Sequence, residues 1–413
     1  MPARHLPVRP DLDQLRHQAK DLLRAIRQGE PSAIAEFSQN HPHPPATTAA
    51  KLADAQLALA RAYGVSSWPR LVHACELTHA IWEDDLATVR RLVTSFPHLL
   101  TEDARGVRGN WGPPMSYAAN LGRDRLIEML HELGAADLDF AIDRAVLQGQ
   151  VRTARRLYAL GGRPSLGVMG PAETQSPDGM QLLLELGVTV ADESGNRLAP
   201  VAMLLQTYGR NPQGKHRCLE LLNDHGISLP DTPAMAVHRG RIDLLAQHAD
   251  RDPTVLTRAY THEEFYPPAL GCDADHSLAL HGTELANTTL LHLCVDNDEF
   301  EIAEWMLSRH VHPDVVGPVD AEGFGGHTAL FGCVVSQPYR TGRGGDRMAR
   351  LLLDHGANPN ARASLRKRLR FVDDETMHEY RDVTPISWGE RFHDQDWVNP
   401  AALRLIAEHG GRA

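Results

Sequence analysis

Apolar positions along this chain recur at helical spacing. In RPDLDQLRHQAKDLLRAIRQG, Leu12, Leu15, Ala19, Leu22, Leu23 and Ile26 share one face and charge occupies the rest, which predicts an amphipathic helix with Asp11 as its N-cap. HPHPP at 41–45 breaks the chain, TTAAKLADAQLALARAYG (47–64) predicts a second helix, and Trp68-Pro69 opens a third. From about residue 75 a longer phrase repeats. Counting from Pro113 as one, Ala118 and Ala119 stand at six and seven, Gly122 at ten and Gly134 at twenty-two. From Phe140, Ala145, Gly149 and Gly161 take positions six, ten and twenty-two, and from Thr289 a third copy places His292 at four and His310 at the end.

Each position has a physical reason. Small residues at six and seven let a short first helix approach its neighbour, and glycine or Asp/Asn at ten supplies the left-handed residue that ends it. Leucines and valines then give a second helix its buried stripe, closed by the terminal glycine. Second helices are expected to end near Ser95, Gly134, Gly161, Gly187, Gly226, His248, His310, Gly356 and Gly410. Leu130, Leu133, Leu183, Leu352 and Leu353 should be buried, and Gly134, Gly161 and Gly356 should have positive φ. One such pair cannot bury its own apolar face, so copies must stack with at most short hairpin strands between them.

The pattern resembles the ankyrin repeat, through TTLLHLC (288–294), GGHTAL (325–330), DTPAMA (231–236), VTPISW (383–388) and LLLDHGANPNA (351–361). The resemblance implies an all-α solenoid of antiparallel helix pairs with short finger hairpins. A helical leader or cap at 1–74 would precede a repeat array at 75–413, as in some bacterial proteins. It also implies recognition of a protein or peptide through a concave face and finger loops. The histidine at position four, His292, would bond locally between loops.

Departures from the period carry what is individual here. YGRNPQGKH (208–216), SQPYRTGRGGD (336–346) and FHDQDWVNP (392–400) stretch individual units, and the largest insertion spans 252–287. Within it, Tyr260, Phe265 and Tyr266 are expected anchors. His262, Glu263, Glu264, Asp273, Asp275, His276 and His281 bring imidazoles and carboxylates into one non-repeating segment that could bind a ligand or act as acid and base. Trp111 and Phe324, which precede helix pairs, are candidate co-liners from neighbouring fingers. The alternative to partner recognition is thus an enzyme or small-molecule binder whose pocket forms under this insertion. The catalytic version requires at least two of His262, Glu264 and His281 to converge on one ligand atom.

Composition narrows the field. The 413 residues carry a net charge of −11, a poor match for coating nucleic acid or anionic lipid. The basic stretch RASLRKRLRF (362–371) is followed at once by acids and reads as a hairpin with charges paired across it. Five scattered cysteines form no C-x-x-C pair and read as reduced, buried thiols, and no apolar run suffices to span a membrane, so a cytoplasmic protein is expected. GRGGDR (342–347) lacks the Lys-Ser/Thr of a phosphate loop, and no G-x-S-x-G or H-E-x-x-H occurs. No cofactor or metal is called for.

Overall fold

The computed structural model describes residues 4–275, 280–372 and 374–413, which form two compact units divided after Ser165. In the first unit, α1 (Leu12–Gln28), α2 (Pro31–Asn40) and α3 (Leu52–Ala62) form a bundle in which Leu15, Ala19, Leu22, Ile26, Phe37, Ala55 and Leu59 are buried. Asp11 accepts from the backbone N–H of Gln14, as its N-cap position predicts. The sequence pattern does not single out α2; its start is set by Pro31 in the first turn, where the missing N–H costs nothing. Three helix pairs follow: α4 (Trp68–Trp82) with α5 (Leu86–Ser95), α6 (Pro114–Asn120) with α7 (Asp124–Glu132), and α8 (Leu138–Leu147) with α9 (Val151–Ala159). The leader boundary expected at 74 falls inside α4, which packs against α3 as well as α5 and α6.

The second unit continues with α10 (Met169–Glu173) and α11 (Pro177–Glu185), α12 (Ala199–Gln206) and α13 (Pro212–Asp224), and α14 (Pro233–His238) and α15 (Ile242–Arg251). The insertion contributes α16 (His262–Phe265). After it come α17 (Leu290–Asn297) with α18 (Phe300–Ser308), and α19 (Ala329–Val334), α20 (Gln337–Arg340) and α21 (Arg347–Asp354). A hairpin of β1 (Ala363–Lys367) and β2 (His378–Val383) leads to α22 (Pro385–Arg391) and α23 (Pro400–Glu408). Among the described residues this hairpin is the one sheet. No described helix is long and apolar enough to cross a membrane.

The repeat is written in backbone dihedrals. The turns inside the pairs place Asp84, Gly122, Gly149, Gln175, Gly240 and Asp298 at φ between 53° and 69°. The ends of the second helices place Gly134, Gly161, Gly187, Gly226, His310, Gly356 and Gly410 at φ between 65° and 108°. α15 departs from this plan: it runs past His248 to Arg251 and ends in extended backbone at Asp252. Between these punctuation points Leu130, Leu183 and Leu352 are completely enclosed and Leu353 is buried, whereas Leu133 is half-exposed because it caps α7 rather than lying on its inner stripe. The stretched connectors within the pairs also lock together. Gln337 donates to the Tyr208 carbonyl at 2.7 Å, the Ser336 N–H to that of Trp397, and the Asn399 side chain to that of Gly345 at 2.8 Å.

Candidate functional site

The insertion is held by its own aromatic residues. Tyr260 and Phe265 stack at 5.4 Å and both are buried with Tyr266, Tyr260 donates its hydroxyl to the Val255 carbonyl, and its N–H bonds the Thr288 carbonyl. Thr261 and Glu264 form a capping box that starts α16, and Arg258 lies 3.7 Å above the Tyr260 ring. The segment is an internal packing element: α16 lies against α14, where His238 Nε2 meets the Phe265 carbonyl at 2.9 Å, and the turn at 268–270 lies against α12. Gln206 clasps Asp273 from both sides, its oxygen accepting from the Asp273 N–H at 2.8 Å and its nitrogen donating to the carbonyl at 3.2 Å.

Beside this segment lies a buried charge network that the sequence reading did not find. Arg210 donates to the Asp296 carboxylate at 2.9 Å and to the carbonyls of Asp296, Thr207, Gly209 and Leu280, which uses all five of its N–H groups. His281 Nδ1 approaches the same carboxylate at 3.0 Å. Burial works against the Asp296 charge, yet Arg210 and His281 hold its carboxyl down at about 2. A few residues along, Lys215 pairs with Glu299 at 2.9 Å and reaches Asn297 at 3.0 Å, with His216 on the same carboxylate. Arg210 and Lys215 both come from the stretched connector 208–216. The available signal was an arginine, a lysine and acids at positions where the repeat carries apolar or small residues; their pairing across more than eighty residues was not legible. Lys367 is likewise fully buried, and burial depresses its ammonium pKa against the pull of Glu284 and Asp296.

The fingers form the exposed counterpart. Residues 319–325 close on themselves, and Gly325 donates to the Ser364 carbonyl, so this finger joins the edge of β1. Phe324 is buried between two guanidinium groups, Arg381 at 4.1 Å and Arg366 at 4.9 Å from its ring centre. Arg366 pairs with Asp320 at 2.7 Å and with Glu322. The basic stretch is therefore a hairpin, as its sequence predicts, and Arg362 pairs across it with Asp382; Arg366 instead neutralises the preceding finger, because strand alternation turns it toward that side. In this finger and in the loop between β1 and β2, Phe371 is 78% exposed, Val319 57%, and Met377 and Val316 about half as exposed as free side chains.

The other sequence candidates disperse. Trp111 belongs to the first unit and packs on Tyr117 at 4.9 Å and Trp82 at 6.2 Å. Glu264 turns to Arg258 at 2.8 Å, His262 Nε2 bonds the Asp273 carbonyl at 2.9 Å, and Glu263 stands exposed at a cleft shared with Pro230, Pro233 and Leu270. His276 lies outside the described residues. Among the described candidates, Tyr266, Asp273, Asp275 and His281 line a cavity beside the insertion, and among the described residues no cluster of three His, Cys, Asp or Glu could hold a metal. The convergence of two of His262, Glu264 and His281 that catalysis required does not occur, because local caps and carbonyls take the first two.

The histidine at repeat position four behaves as the resemblance implies. His292 Nδ1 meets Thr289 Oγ1 at 3.0 Å, its Nε2 meets the His327 carbonyl at 2.9 Å, and His327 Nε2 continues to the Glu284 carbonyl at 3.0 Å. Residues 325–364 match the family model "Ankyrin repeat". This stretch is an ankyrin repeat. No curated protein sequence matches the chain. Among solved structures, the chain is similar to the human ASB11 ankyrin repeat domain at 14% identity, over 73% of this chain and 99% of that one, with a TM-score of 0.25. Ankyrin repeats are in general protein–protein interaction modules.

Proposed function

We propose that this ankyrin-repeat protein works by recognition, and that its partner, a protein or peptide, docks on the finger edge formed by residues 316–326 and 366–381. The observation that carries the reading is that four of the six large apolar side chains left in water among the described residues, Val316, Val319, Phe371 and Met377, lie in the finger 316–326 or in the hairpin loop between β1 and β2. Exposed apolar residues concentrated in two segments of a chain mark a surface suited to a partner. The ion pairs of Arg366 with Asp320 and Glu322 and of Arg381 with Glu379 give the edge little net charge, which suits a mixed polar and apolar partner. Five buried, unpaired cysteines fit a reducing, cytoplasmic setting. Selection of a displayed peptide library on the intact chain tests the reading. Selected peptides should lose at least about tenfold in affinity to a Phe371→Ser/Met377→Ser variant, as removal of hot-spot contacts does; peptides that bind the variant unchanged would place recognition elsewhere.

A further inference from the structure

A pair of imidazoles fastens β2 to the connector 392–400. The rings of His378 and His393 lie face to face, 4.0 Å between centres and 9° from parallel. Behind them the buried Tyr380 packs on Trp388 at 4.8 Å and on Phe392 at 5.9 Å, so the half-buried histidines form the outer layer of this contact. Their hydrogen bonds assign the protons. The Tyr380 oxygen accepts from the His393 backbone N–H at 3.0 Å, and its own hydrogen goes to the Nδ1 lone pair of His393 at 2.7 Å. His393 is therefore a neutral ring with its hydrogen on Nε2, an atom buried without a partner. A second proton would have to displace the Tyr380 hydrogen from Nδ1 and leave it without an acceptor. His378 instead turns Nε2 to the Asp374 carboxylate at 2.8 Å and to Thr376 Oγ1 at 3.1 Å, both on its own hairpin.

The surroundings of His393 disfavour an imidazolium. Burial acts most strongly against it, His378 and Lys367 oppose it, and Asp374 and Asp394 favour it; together they hold the His393 pKa below that of a free imidazole. Arg391 acts on the adjoining Tyr380 hydroxyl. We propose that the His378–His393 stack makes the finger edge acid-sensitive: the contact admits one imidazolium and not two, so acidification parts β2 from the connector and releases a partner docked beside it at Met377. The release rests on the reading of the finger edge as the docking surface, whereas the parting of β2 does not. Once β2 has parted, His393 titrates as a free imidazole near 6.5, a proton it refuses in the stack. The contact is thus complete above 6.5 and weakens as the pH falls below that value. The Asp374–His378 bond lies within the hairpin and survives the parting, so it leaves this sign unchanged.

The test uses the intact chain. Hydrogen exchange of the β2 amides, corrected for the intrinsic pH dependence of exchange, should show local opening that grows about tenfold between pH 7.5 and 5. His393→Asn keeps an acceptor for the Tyr380 hydroxyl and takes up no proton. Its opening should stay level, while His292 and His327 titrate alike in both proteins. A histidine-free peptide selected on the finger edge should bind the parent chain about tenfold more weakly at the lower pH, and His393→Asn equally at both. Opening that does not grow with acid in the parent chain would overturn the proposal even if the variant fails to fold, and so would equal growth in a folded variant. If opening grows but a finger-edge peptide binds the parent equally at both pH values, the release is overturned and the docking surface stands. Peptides that map away from 316–326 and 366–381 would remove the docking surface, and exchange alone then decides the stack.

Discussion

A side chain at Gly356 would touch nothing within 4 Å, yet its φ of +89° leaves the residue where L-amino acids are strained. The glycine is thus required by the backbone alone, to turn the chain out of α21 toward the next finger. Gly356→Val should cost about 1–3 kcal/mol, and Gly356→Asn less, since asparagine tolerates the left-handed region. Urea melts of the two variants decide this, and equal stability of valine and glycine would remove the argument. Histidines before such glycines have a local task as well: the Nδ1–H groups of His225, His355 and His409 each donate to the carbonyl four residues back, at 2.7 to 2.9 Å. These bonds satisfy carbonyls that the end of a helix leaves without partners. Features fixed by one residue and its immediate neighbours, such as these ends, were legible in the sequence. Asp296 was not, because its meaning depends on Arg210, 86 residues away.

At the scale of elements, the insertion shows the same division. Tyr260, Phe265 and Tyr266 were legible as anchors from their chemistry, since large rings must be buried somewhere. That the segment fills space against α12 and α14 was not legible, since this depends on how far apart those helices stand. The Arg210–Asp296 pair holds the connector after α12 to the end of α17, and Arg210→Met should cost about 3–5 kcal/mol by leaving a buried carboxylate uncompensated. A double change, Arg210→Met with Asp296→Leu, should recover part of that loss; no recovery in denaturant melts would mean that the pair is not the connection. The loop-bridging histidines give the array a pH dependence of known sign. Burial holds His292 at about 3 and His327 at about 4, below the 6.5 of a free imidazole. As the pH falls from 6.5 toward 4 the unfolded chain takes up protons that the folded chain refuses, so the stability from these neutral rings is complete above 6.5 and is lost on acidification. Urea midpoints should decline across that window, and less steeply in a His327→Gln variant. A flat profile would contradict the assigned burial.

For the molecule as a whole, helix pairs built on one plan occur in both compact units, and that plan was readable because every copy repeats the same local compromise between burial and chain reversal. The proposed docking site is the finger edge rather than the second helices, which the repeat period could not indicate because periodic positions are spent on packing. A photoreactive amino acid introduced singly at Val319, Phe371 and Met377, and for comparison at Glu304 and Arg350 on the exposed sides of α18 and α21, reads the contact surface directly when the bound partner is irradiated. Crosslinks from the three finger positions and none from the two helix positions are the predicted result; crosslinks confined to 304 and 350 would contradict it.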